Sequence, residues 1–367
     1  MARLELQSVD KSFGAASCAK GVSLAVEPGE IVAVFGPSGS GKTVLLRMIA
    51  GMFEPDAGDI LVGGRSIVDA APEQRGIGMA FQNFALFPHM SARDNIASGL
   101  RATGAADVAA KVAAMSRLLK IEHVLGHKPR ELSNGQKQRT ALARALIGNP
   151  EVLLLDDPLR NVDAKLRYEM RLELPSLLRR SSAAVLYVTQ DYREAMAIAD
   201  RIAVLINGRL VQVARPEEIY ARPASVAVAR LFGDPSINLS EVVPVVEQGR
   251  LIAAIAGTQV RLDVDDLPAD ARERCWLGVR PDDVAVTRHG GEGAIPARTV
   301  AVTPIHERAV VLLRFADGSE WLAALAPEAL EAGADEDVFV RFVPEAVLLF
   351  DHATGDRIGV LPRRQAA

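Results

Sequence analysis

Gly36-Pro37-Ser38-Gly39-Ser40-Gly41-Lys42-Thr43 fits the spacing G-x-x-x-x-G-K-[ST]. The β-branched run Ile31–Phe35 precedes it and the helical pattern Thr43–Ala50 follows, so the loop joins a strand to a helix. Glycines let backbone N–H groups approach and wrap phosphate oxygens. The helix N-terminus adds its positive dipole end. Lys42 is expected to reach the β- and γ-phosphates of a nucleotide, and the Thr43 hydroxyl to ligate Mg2+. A phosphate loop needs a carboxylate on the metal side. Asp156 supplies one at the end of the apolar run Val152–Leu155, where open α/β sheets place ligand residues.

Outward from this loop, Ala184–Thr189 and Ile202–Ile206 are further apolar runs of the kind buried on both faces of a sheet. Helical patterns at Gln136–Ile147 and Arg193–Ala199 lie between or beside them, which predicts an α/β layout with a mainly parallel sheet. Residues 91–150 carry the densest helical patterning, with Val108–Leu119 the clearest amphipathic piece and an Ala-rich patch at 105–114. Beyond 235 the period changes. Arg261–Val264, Val284–Val286, Thr299–Val302, Val310–Phe315 and Val338–Phe342 are short strand-like runs separated by Gly290-Gly291, Asp317-Gly318 and prolines, which predicts a small all-β barrel or sandwich.

The charge distribution places the same join. All eight lysines lie between Lys11 and Lys165. Residues 1–235 hold 29 basic and 25 acidic side chains, a net of +4; residues 236–367 hold 13 arginines, no lysine and 21 acidic side chains, a net of −8. Gly233-Asp234-Pro235-Ser236 reads as the link, giving domains 1–235 and 236–367. At 367 residues and 49% hydrophobic, the chain can build a sizeable core, and no apolar run approaches membrane-helix length. The N-terminus alternates like a strand and has no signal-peptide core. Cys18 and Cys275 form no CxxC motif and at most one bridge, a profile expected of a cytosolic protein. A net charge of −4 argues against nucleic acid as the partner.

Several stretches then line up. Leu132-Ser133-Asn134-Gly135-Gln136 resembles the LSGGQ signature of ABC-type ATPases; Phe81-Gln82 resembles their Q-loop; Asn161-Val162-Asp163 resembles the D-loop; and Val188-Thr189-Gln190-Asp191 sits where the switch motif VTHD belongs. Phe13 stands where an adenine-stacking aromatic is usual, with core packing as its alternative. Gly51–Gly58, Asn83–Ser91 and Leu277-Gly278-Val279-Arg280-Pro281 are similar to the ATPase subunits of bacterial sugar, polyol and glycerol-phosphate importers. The resemblance implies an α/β P-loop ABC ATPase domain with a helical subdomain at about 83–150, followed by an all-β OB-like regulatory and dimerisation domain. It implies ATP and Mg2+, with Gly36, Ser38, Gly39, Ser40, Gly41, Lys42 and Thr43 around the phosphates. Thr43, Gln82 and Asp156 would face the metal. Ser133, Gly135 and Gln136 would meet the nucleotide of a second ATPase chain, head to tail, with Asp163 linking the two sites or merely capping its helix. Residues 83–100 would help receive a coupling helix from one of two membrane-spanning permease subunits, or else form subdomain core. An extracytoplasmic solute-binding protein would be an indirect partner, and the chain would sit on the cytoplasmic face of the bacterial inner membrane.

Three positions depart from the family pattern. Asp157 replaces the glutamate that polarises the attacking water, shortening its reach by about 1.5 Å. Gln190 replaces the switch histidine; it can hydrogen-bond a γ-phosphate but cannot become a cation. Asn134 replaces a signature glycine. Together these predict the degenerate member of a heterodimeric ATPase pair, with Asp157, Gln190 and Gln82 at a slow hydrolytic site. An active homodimer and a nucleotide-binding scaffold without turnover are the alternatives. The heterodimer reading expects Lys42→Ala to harm transport less than the matching change in the partner. His89, His123 and His127 lack ligand spacing, Arg179-Arg180 is expected to be solvated, and Trp276 and Trp321 are expected in the barrel core.

Overall fold

Four runs buried on both faces build the centre of the first unit: β3 (Ile31–Phe35), β7 (Val152–Asp156), β8 (Ala184–Thr189) and β9 (Arg201–Ile206). Their alternating side chains serve two cores. Val32, Val34, Val152, Leu154, Leu186 and Val188 face one, while Ile31, Leu153, Leu155, Val185 and Tyr187 face the other. We describe a computed structural model over residues 2–100, 107–247, 250–262, 274–305, 308–329 and 332–358. Of the sequence expectations, Met1, residues 105 and 106 of the Ala-rich patch, and residues 263 and 264 lie outside this set.

The preceding elements are β1 (Leu4–Phe13), β2 (Ala16–Val26), α1 (Lys42–Ile49), β4 (Ala57–Val62), β5 (Arg65–Ser66) and β6 (Ile77–Ala80). Then come α2 (Ala92–Ser98), α3 (Val108–Leu118), α4 (Asn134–Leu146), α5 (Ala164–Arg180), α6 (Tyr192–Ile198) and β10 (Arg209–Ala214). The six-stranded sheet runs β10-β9-β3-β8-β7-β6, parallel except for the β9–β10 hairpin. A second sheet, β2-β1-β4-β5, is antiparallel. Helix α1 packs between the two, its Leu45, Leu46, Met48 and Ile49 fully buried with Leu4, Leu6 and Val22. Helices α2 to α5 cover the other face of the parallel sheet.

The C-terminal end of α1 shows how a charge serves as a cap. Arg75 is 4% exposed, and its guanidinium donates to the carbonyls of Met48, Ile49, Val68 and Ala70 at 2.7–3.0 Å. It satisfies helix carbonyls that would otherwise be buried without partners. Gly51 leaves the space: a Cβ there would lie 2.6 Å from Arg75 Nε. Arg75→Ala should lower stability by about 2–4 kcal/mol, read as a lower urea midpoint at unchanged slope.

The second unit is Tyr220–Ala367, the first Met1–Ile219. Helix α7 (Pro216–Ala221) and helix α8 (Val226–Leu231) thus bring the division earlier than the composition shift at 235. The reason is packing within the second unit. Ala229 is buried with Ile237, Leu348 and Phe350, and the buried Arg280 donates to the carbonyls of Tyr220 and Phe232 while its guanidinium lies 3.6 Å from the Tyr220 ring centroid. The remainder is antiparallel β-structure, including the five-stranded sheet built from 284–287, 337–342, 295–305, 308–315 and 320–325. Trp321 is buried as expected, with Nε1 donating to Ser240 Oγ at 3.0 Å. Trp276 is half-buried at the edge of the core, packed against the cluster of Ile237, Leu348 and Phe350 and stacked on His352 at 5.2 Å. Among the described residues no helix is long and apolar enough to cross a membrane.

Candidate functional site

The phosphate loop leaves β3 and enters α1 under two steric constraints. A Cβ on Gly36 would lie 2.0 Å from the Leu205 carbonyl oxygen, and one on Gly41 would lie 2.0 Å from that of Cys18, where φ is also +104°. Only glycine fits either place. Gly41 also leaves α1 with no side-chain N-cap, so its first-turn N–H groups remain free for an anion. Lys42 is 5% exposed, with Nζ donating to the Gly36 and Pro37 carbonyls at 2.8 Å and to Ser40 Oγ at 3.4 Å. Burial lowers its pKa, while Asp157 and Asp156 oppose that shift.

A pocket of about 290 Å³ opens beside this loop, and Lys42, Thr43, Gln82, Asp156, Asp157 and Gln190 all line it. Thr43 Oγ1 donates to Asp156 Oδ1 at 3.3 Å. This all-oxygen pair suits Mg2+, a hard cation, and the cradle and buried cation suit a polyphosphate. Burial raises the pKa of Asp156, against the Thr43 hydrogen bond. Burial also raises that of Asp157, against Arg160, whose guanidinium lies 3.6 Å away. Asp157 holds a left-handed backbone, φ +46°, with its N–H donated to the Val188 carbonyl at 2.9 Å. Gln190 is exposed at the pocket edge.

The signature stretch lies off the pocket. Ser133 is exposed and caps α4, accepting from Gln136 N–H at 3.2 Å, while Gln136 Oε1 accepts from Ser133 N–H at 2.9 Å. Gly135 is buried against α5, and a Cβ there would lie 2.0 Å from Leu166 Cδ2, so that side chain would have to shift. Asp163 caps α5, accepting from Leu166 N–H at 3.0 Å, and Asn161 Nδ2 donates to the Gln82 carbonyl at 2.8 Å. Phe13 is 45% exposed and meets Phe53 edge to face at 5.2 Å, so it is not core.

Sequence reasoning missed Cys18, which lines the pocket because β2 passes over Gly41; no local pattern signals that approach. It also missed Arg144, one of the side chains on a groove of about 630 Å³ with Met79, Phe81 and Phe87. Arg144 donates to the carbonyls of Phe84 and Ala85, two residues at positive φ, and so ties the segment after Gln82 to α4. His89, His123 and His127 are exposed. Arg179 and Arg180 are exposed as expected, and Arg179 also pairs with Asp200 at 2.7 Å.

The family description "ABC transporter" matches residues 19–160, and "TOBE domain" matches 277–350. The chain is 38% identical to the sn-glycerol-3-phosphate import ATP-binding protein UgpC of Roseobacter denitrificans over 98% of this chain and all of that one. It is 43% identical to the protein of the same name from Yersinia pseudotuberculosis, over 78% of this chain and 81% of that one. Among solved structures it is similar to a dimeric, post-hydrolysis state of the ATP-binding cassette MJ0796 bound to ADP and Pi. That likeness has a TM-score of 0.53 and 29% identity over 58% of this chain and 98% of that one.

Proposed function

This chain belongs to the ABC transporter family, in its branch of import ATP-binding proteins, and from that premise we propose that two copies of it hydrolyse ATP at paired composite sites to drive solute uptake. The observation that carries the reading is the division of the machinery. Lys42, Thr43, Gln82, Asp156, Asp157 and Gln190 surround one pocket, while Ser133–Gln136 stands apart from it. The second set therefore serves another chain's nucleotide.

In this scheme Lys42 and the first-turn N–H groups of α1 hold the phosphates of ATP. Thr43, Asp156 and Gln82 would hold Mg2+, which neutralises charge on the β- and γ-oxygens. Asp157 accepts the proton of the water that attacks the γ-phosphate, and the Gln190 amide donates to a γ-oxygen. The products are ADP and phosphate. Most of the rate comes from positioning and charge stabilisation. Phe13 stacks on adenine, Asp163 lies at the junction of the two copies, and the groove beside Phe87 and Arg144 receives a coupling segment of a permease. The chain then works peripherally on the cytoplasmic face of the membrane. The glycerol-phosphate importers among its relatives support a small polyol phosphate, sugar or polyol as the solute.

The unlike-partner reading rests on Asp157, Gln190 and Asn134, and the similarity to a dimeric cassette structure supports pairing like with like. Turnover by the purified full chain, alone and with its permeases in vesicles, decides between them. Hydrolysis and uptake with no other ATPase subunit present support the paired-copy reading. Nucleotide binding with turnover only when a second ATPase is added would overturn it.

A further inference from the structure

Behind the pocket lies a buried polar cluster to which the hydrolysis scheme assigns nothing. Glu194 is 1% exposed, and its Oε2 accepts from Tyr187 Oη at 2.9 Å and from Thr189 Oγ1 at 3.1 Å. Thr189 Oγ1 accepts the backbone N–H of Asp191 at 3.0 Å. The Asp191 carboxylate caps α6 by accepting from Arg193 N–H at 2.8 Å, and it accepts from the Arg171 guanidinium at 2.5 Å. The same Arg171 nitrogen lies 3.9 Å from Glu194 Oε1.

Gln190 sits between Thr189 and Asp191, so both of its chain neighbours are held, and one of the holds comes from α5. One turn earlier on that helix, Arg167 donates to the carbonyls of Arg160 and Val162 at 3.3 and 3.0 Å, and Arg160 pairs with Asp157. Residues four apart share a helix face. One face of α5 thus grips both the segment that follows Asp157 and the loop that carries Gln190. That helix starts at Asp163. Arg171 and Asp191 are only partly exposed, and packed apolar side chains would fix the fold at least as well as such a pair does, so holding the loop is what the charges add.

We propose that Arg171 is a positioning residue for hydrolysis, which through Asp191 ties the Gln190 loop to α5 so that Gln190 and Asp157 are set against the γ-phosphate by one helix. This rests on the reading of Gln190 as a γ-phosphate contact.

The test measures kcat and the Kd for ATP of the full chain with Mg2+, for Asp191→Asn, Arg171→Gln, Arg171→Lys, Gln190→Ala and the Asp191→Asn/Gln190→Ala pair. Asp191→Asn keeps the size and the cap of α6, so it tests the tie to α5 even if Arg171→Gln fails to fold. We expect Asp191→Asn to lower kcat by about ten- to a hundredfold at unchanged Kd. Arg171→Lys should retain most of the rate. In the Gln190→Ala background, Asp191→Asn should cost less than about twofold more, because both changes remove the same placement. Multiplying losses, or a loss that tracks a lowered Tm and weakened ATP binding, would overturn the proposal. So would a harmless Asp191→Asn beside a harmful Gln190→Ala. A harmless Gln190→Ala would instead remove the underlying reading of Gln190, and the proposal with it.

Discussion

Gly41→Ala should leave a folded protein that binds ATP at least about a hundredfold more weakly. The backbone at Gly41 has φ +104°, a conformation that costs an L-residue about 1–2 kcal/mol. The added methyl would stand 2.0 Å from the Cys18 carbonyl oxygen, and the backbone that carries each atom is held in structure, with β2 on one side and α1 on the other. The loop must move. Its N–H groups then lose their aim at the phosphates, each lost contact to an anion being worth about 1.5–3 kcal/mol. Together these reach about 3–5 kcal/mol, or two to more than three decades in Kd at 1.4 kcal/mol per decade. Isothermal titration with ATP and Mg2+ reads the effect, and circular dichroism checks the fold. Gly39→Ala is the matched control. Gly39 also has positive φ, +79°, but no atom lies within 4 Å of the added Cβ, so only the conformational part of the cost applies. Equal weakening by both substitutions would refute the close approach of Gly41 as the cause.

The difference between those two glycines also marks what the sequence could disclose. The motif Gly36–Thr43 announces a phosphate loop, and the strands around it were legible because burial on both faces leaves continuous apolar runs, as in Val152–Leu155. The sheet of β1, β2 and β4 was less visible. It mixes buried and exposed positions, and β1 alone carries three register irregularities against β2. Helix α5 was read only at its start, where Asp163 was weighed as a cap, and its extent escaped notice for another reason. It buries only Met170, Leu174 and Leu178, is otherwise rich in charge, and has Pro175 in its interior, which reads locally as a stop. With the extent of α5 unread, the contacts of Arg167 and Arg171 were unseen too. Trp276 was legible only in part, since a large aromatic in a strand reads as core and it does pack against Ile237, Leu348 and Phe350, while its stacking on His352 has no local signal. The signature Ser133–Gln136 was recognised by its residues. Its structure in one chain is fully accounted for by capping and by the packing of Gly135 on Leu166, which is why its service to a nucleotide has to be sought in a pair.

Asp157→Asn is the change that should reach furthest into catalysis, with kcat falling by about 10²–10⁴-fold and the Kd for ATP nearly constant. The carboxylate is buried, and burial raises its pKa above the ordinary 3.8, with Asp156 adding to the rise and Arg160 opposing it. An incoming γ-phosphate adds negative charge and pushes the same way. The base must be ionised to act, so wild-type kcat should fall on the acid side through a value above the ordinary aspartate range, and that limb should be absent from the residual rate of Asp157→Asn. Stability should move in the opposite direction to activity. A raised pKa means that at neutral pH the fold carries the ionised form at a cost, so the neutral isostere should not lower Tm. A loss of turnover at constant ATP affinity and undiminished Tm isolates the carboxylate as the group that handles water, despite its shorter reach. Unchanged turnover would mean that hydrolysis does not pass through this aspartate, and its assignment as the group that takes the proton of the attacking water would fall, because the chain offers no other carboxylate directly after Asp156.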